Sequence, residues 1–141
     1  MTRINMARVV VAGLAAGLVM NIIDFATGFT ILAEGGKANL IRLNLDPALM
    51  ETTAGIVPWV IVDFLFGILL TFTYAAMRPR FGPGPKTALV SGFTLYAAVT
   101  VVLYGFLSLG IFTPDFFVLS SVCAVVSTLA GSVTGAALYK E

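Results

Sequence analysis

Four apolar runs, each more than twenty residues long, dominate this sequence, and a bilayer is the solvent that suits all four at once. They cover about 9–32, 55–77, 87–109 and 115–139. A helix needs roughly 20 apolar residues to cross a hydrocarbon core, so each run is long enough to span. Backbone N–H and C=O groups in lipid must be satisfied within the segment, which makes helices the expected form. Composition agrees: 59% of the residues are apolar, only 11% are charged, and the mean hydropathy is +1.02. Soluble domains hold about 45–50% apolar residues. The expected fold is therefore all-α, a polytopic membrane protein with four transmembrane helices arranged as two hairpins in a single membrane domain, 1–141. The opening stretch, with Arg3 and Arg8 ahead of an apolar run, has the look of a signal peptide. That run is too long for an h-region of about 7–15 residues, so it is expected to be the first span.

Orientation comes from the connection between the second and third runs, Met77-Arg78-Pro79-Arg80-Phe81-Gly82-Pro83-Gly84-Pro85-Lys86-Thr87. It carries three cations and no acid, and Lys and Arg favour the cytoplasmic side of a membrane. Both termini then fall on the cytoplasmic side with it. Its prolines and glycines predict tight turns rather than helix. Arg78, Arg80 and Lys86 are candidates for contact with anionic lipid or an acidic partner, and Trp59 beside Pro58 is the expected interfacial anchor at the other end of the second span.

Within the spans the small and polar residues form stripes. Gly13, Gly17, Asn21, Asp24 and Gly28 follow at steps of three or four, as do Asp63, Gly67, Thr71 and Tyr74 on the second span. Such spacing places them on one helix face. On the fourth span Ser120, Ala124, Ser127, Gly131 and Gly135 make a comparable seam, with Cys123 beside it as a small apolar filler. Small residues let helix backbones approach closely, and a carboxyl facing lipid is costly, so these stripes should face protein. Gly13, Gly17, Gly28, Gly67, Gly131 and Gly135 are the candidate packing residues. The third span carries Gly92, Tyr96, Thr100, Tyr104 and Ser108 at steps of four, a stripe that drifts around the helix.

Counting turns from the helix ends places Asp24 and Asp63 in the outer half of the bilayer, with Tyr104 and Ser120 at a comparable depth. The prediction is one buried polar layer of Asn21, Asp24, Asp63, Tyr104 and Ser120. No Lys or Arg lies inside the spans to neutralise the two acids. Three outcomes stay open: a protonated, hydrogen-bonded pair, a proton or cation site, or a pair met by a cation from Lys37, Arg42 or another protein. The segment 33–54 should lie outside. Its near-balanced charges surround Leu40, Ile41, Leu43, Leu45, Leu49 and Met50, which suggests short helical turns on the membrane surface or against a partner. Asp46-Pro47 reads as a helix start.

Several function classes are disfavoured. With no histidine and a single cysteine, the chain lacks the usual ligands for zinc or haem, and no cofactor or metal is expected. A net charge of +1 spread over several loops argues against nucleic acid. No constellation of nucleophile, base and orienter is visible, nor a phosphate loop, so an enzyme is not expected. The eleven phenylalanines could pack a carotenoid or a lipid tail as well as ordinary acyl chains.

The segments Gly13-Leu14-Ala15-Ala16-Gly17-Leu18-Val19-Met20-Asn21-Ile22-Ile23-Asp24-Phe25 and Arg78-Pro79-Arg80-Phe81-Gly82-Pro83-Gly84-Pro85-Lys86-Thr87-Ala88 resemble a family of small four-helix bacterial integral membrane proteins. The likeness covers the first span and the central loop. Members of that family tend to carry Asn-x-x-Glu where this chain has Asn21 and Asp24, a match in charge but not in length. The resemblance implies a multi-pass protein of the bacterial inner membrane and carries no activity over. The expected role is a non-catalytic accessory or scaffold subunit, packed against other integral membrane proteins or copies of itself, with an energy-converting complex as one setting. The alternative is a small oligomeric proton-coupled or cation transporter that uses Asp24 and Asp63.

Overall fold

The computed structural model describes residues 4–140. Their order is α1 (Met6–Phe29), α2 (Ala33–Arg42), a 3-10 turn (Pro47–Met50), α3 (Thr53–Phe81), α4 (Pro85–Ser108) and α5 (Pro114–Leu138). Helices α1, α3, α4 and α5 are long and apolar enough to cross a membrane. The chain is all-α over the described residues, and its apolar helices mark it as a multi-pass membrane protein.

Three of the four long helices start at a side-chain cap. Asn5, Thr52 and Thr113 accept the first free N–H groups of α1, α3 and α5 through their side chains, and Pro85 and Pro114 occupy first-turn positions whose N–H would have no helical partner. The Asp46 carboxylate accepts the Ala48 N–H at 2.9 Å, as the Asp-Pro pair predicts.

One expectation for the central connection is overturned. Helix α3 does not stop at Met77 but runs through Arg78, Pro79 and Arg80 to Phe81. Pro79 forgoes one backbone bond, yet the ladder closes beyond it, where the Gly82 N–H donates to the Arg78 carbonyl at 2.9 Å. The reversal occupies only Gly82-Pro83-Gly84, with φ of +82° at Gly82 and +129° at Gly84, a backbone that glycine adopts without penalty.

Helix α1 packs most extensively on α3 and next on α5, while α4 leans mainly on α5; α1 and α4 stand diagonally apart. The α1–α3 seam is built on glycine. A Cβ on Gly13 would stand 2.5 Å from Ile68 Cα, one on Gly17 would stand 2.6 Å from Phe64 Cα, and one on Gly67 would enter the backbone of Gly13 and Gly17. Gly131 faces Met20, and Gly135 faces Thr71 and Ala16, at the α5 seam. Five of the six predicted packing glycines are thus in place. Gly28 is the exception: nothing lies within 4 Å of a Cβ built on it, because α1 ends one residue later and leaves α3 behind.

The two ends of the bundle differ. At one end both termini and the Gly82–Gly84 turn meet: the Asn5 N–H donates to the Tyr139 hydroxyl at 3.2 Å, the Gly84 N–H donates to the Tyr74 hydroxyl at 3.1 Å, and the two tyrosine rings meet edge to face at 6.4 Å. At the other end α2 is strapped to the α4–α5 turn. Arg42 donates to the carbonyls of Gly110 at 2.6 Å and Ile111 at 2.7 Å, and Asn39 donates to Ile111 at 3.1 Å. The segment 33–54 is therefore helical, as expected, and it is tied to its own chain.

Candidate functional site

Three helices carry polar side chains to one level of the bundle. The Asp24 carboxyl of α1 faces the Asp63 carboxyl of α3 and the Ser127 hydroxyl of α5. Asp63 is 8% exposed and Ser127 1%. Cys123, one turn before Ser127 on α5, is also buried. Asn21, also 8% exposed, donates through its amide to the carbonyls of Gly17 at 3.0 Å and Val60 at 3.3 Å, which bonds α1 to α3 one turn from the acids. Its Oδ1 and the Ser127 Oγ are buried oxygens with no formed hydrogen bond. A buried polar group left unpaired costs free energy, so this layer is less completely satisfied than the rest of the core.

Asn21, Asp24 and Asp63 are brought together as the spacing predicts; Tyr104 and Ser120 are not. Tyr104 is 63% exposed and lies against the Phe117 ring at 6.4 Å. One turn from the end of α4, it suits an interfacial aromatic rather than a buried donor. Ser120 donates to the Phe117 carbonyl of its own helix at 3.1 Å. Turn counting assumed level helix ends, and the ends are not level. Gly35 of α2 packs on the Phe116 ring, so the first turn of α5 stands beside α2, beyond the end of α1. The α5 side chain opposite Asp24 is consequently Ser127, two turns deeper than Ser120.

Neither cation of segment 33–54 reaches the acids. Lys37 pairs with Glu51 at 2.5 Å, and Arg42 is engaged at the α4–α5 turn. At the other end the Arg78 guanidinium lies 6.0 Å from the Tyr139 ring centroid, while Arg80 and Lys86 are exposed. Trp59 is exposed on the second turn of α3, as an anchor would be.

A second polar contact escaped the stripe argument. Ser91 of α4 and Ser132 of α5 are fully buried with their hydroxyls 3.2 Å apart, and Ser132 donates across the seam to the Ala88 carbonyl at 2.7 Å. Gly92 leaves the room for it, since a Cβ there would meet Ser132 Cβ at 2.8 Å. Hydroxyls that bond carbonyls are compatible with a membrane interior, and their signal in sequence was the serine one place before Gly92. Among the described residues no group of three His, Cys, Asp or Glu side chains is placed to hold a metal.

No protein-family model matches this chain, and no curated protein or solved structure matches it either.

Proposed function

We propose that this chain is a non-catalytic accessory subunit of a membrane complex, anchored in the bacterial inner membrane with both termini and the Gly82–Gly84 turn in the cytoplasm, and that α4 is its lateral docking helix. The observation that carries this reading is the burial of α4: Thr87, Ala88, Ser91 and Gly92 are buried in its first turns, and no residue from Phe93 to Ser108 is. That stretch holds Ala97, Ala98, Thr100 and Gly105, and nothing lies within 4 Å of a Cβ on Gly105. Small residues on an open helix face allow close approach of another helix. The basic residues at the terminus-bearing end favour the stated orientation. The test is disulfide trapping in native membranes with Ala98→Cys and Gly105→Cys in a Cys123→Ala background. Cross-linking to a second helix supports the reading; a monomer that cross-links to nothing and co-purifies with nothing overturns it.

A second reading rests on the facing pair Asp24 and Asp63. Two carboxyls with no basic partner, beside the unpartnered Asn21 Oδ1 and Ser127 Oγ, suit a proton or cation site, as acids within a membrane often do. Proton and sodium flux through proteoliposomes, compared with Asp24→Asn and Asp63→Asn, decides it. Flux that is unchanged by both substitutions removes this reading.

A further inference from the structure

Between α1 and α5, at the end that carries both termini, lies an open groove of about 460 Å³ lined by Ala7, Arg8, Val11, Ala12, Leu138 and Lys140. That volume is within the roughly 300–1,000 Å³ that holds a small organic ligand. Its chemistry is divided. The rim carries the two cations, and the Arg8 guanidinium is fixed there by donating to the Lys140 carbonyl, which leaves further N–H donors of its five for a ligand. The floor is alanine. Its walls are Val11, 71% exposed, and Leu138, 54% exposed, so both are left largely uncovered by the described residues.

We propose that this groove binds an anionic phospholipid, with the phosphate between Arg8 and Lys140 and an acyl chain along Val11 and Leu138. Charge supports the choice of ligand. Among the described residues this end of the bundle holds Arg8, Arg78, Arg80, Lys86 and Lys140, with Glu141 after Lys140 lying outside the described residues, whereas Glu34, Asp46, Glu51 and Asp115 all lie toward the other end. Arginine forks match phosphate oxygens, and each cation near a membrane surface attracts anionic lipid. The site is distinct from the Gly82–Gly84 turn, since only α1, α5 and the residue after next to α5 line it. It is independent of the docking role of α4 and of the acid pair.

The test uses the full-length protein in mild detergent, with bound lipid counted by native mass spectrometry. Palmitoyl-oleoyl phosphatidylglycerol is compared with phosphatidylcholine bearing the same chains. The wild type should prefer the anionic lipid by about tenfold or more, on the scale expected for two interfacial cations. Arg8→Gln/Lys140→Gln should abolish the preference, and Lys37→Gln, at the opposite end of the bundle, should keep it. Should the first variant fail to fold, Val11→Trp, at an exposed position, should fill the groove and lower retention of both lipids while the cations remain. Inorganic phosphate should not displace the bound lipid. Equal retention of the two lipids by the wild type, a preference that survives in Arg8→Gln/Lys140→Gln, undiminished retention in Val11→Trp, or displacement by inorganic phosphate alone, as a free-anion site would show, overturns the proposal.

Discussion

Asp24 of α1 and Asp63 of α3 face one another across the glycine seam, with the Ser127 hydroxyl of α5 beside Asp24. Replacing either acid by its amide keeps the shape and removes one of two like charges. Asp24→Asn and Asp63→Asn should therefore keep or raise the thermal midpoint in detergent. Asp63→Ala should lower stability by about 1–3 kcal/mol, because removing the buried carboxyl group leaves a cavity at the α1–α3 seam. Circular dichroism melts of the three variants check both outcomes.

The glycines of α1 separate by position. Gly17→Val drives side-chain atoms into the Phe64 backbone, and overpacking of a tight seam costs about 1–3 kcal/mol. Gly28→Ala meets nothing and should be neutral or stabilising by up to about 1 kcal/mol through helix propensity. Reversible unfolding in mixed micelles should rank Gly17→Val well below the wild type and Gly28→Ala at or above it.

Ser91 and Ser132 share one hydrogen-bonded contact between α4 and α5. A double-mutant cycle with Ser91→Ala and Ser132→Ala should give a coupling of about 0.6 kcal/mol, the average for polar contacts between helices in a membrane. A coupling indistinguishable from zero would show that each serine is satisfied by its own seam alone.

Arg42 holds α2 against two carbonyls of the α4–α5 turn. In Arg42→Gln the strap should loosen, with faster amide hydrogen exchange over Ala33–Arg42 and little change in α1, α3 or α5. The cost to global stability should be about 1 kcal/mol, since these bonds are charge-assisted but exposed.

Lys37 and Lys86 stand at opposite ends of the bundle. An amine reagent that does not cross membranes should label Lys37 from outside intact cells and Lys86 only after lysis.

Much of the architecture was legible in the residues. The lengths of the apolar runs determined the number of long apolar helices, Asp46-Pro47 marked the start of the Pro47–Met50 turn, and steps of three and four placed Gly13, Gly17, Asn21 and Asp24 on one face of α1. All of these are local properties: helix period, helix length and the backbone groups left over at a helix start. Relative depth was the tertiary structure's to decide. Ser127 rather than Ser120 lies opposite Asp24, and Tyr104 is left at the surface, because the helix ends are not level: the first turn of α5, at Phe116, stands beside Gly35 of α2. The period of a helix determines which residues share a face; how far one helix slides along its neighbour depends on side-chain packing between segments remote in the chain, and turn counting carries no information about that offset.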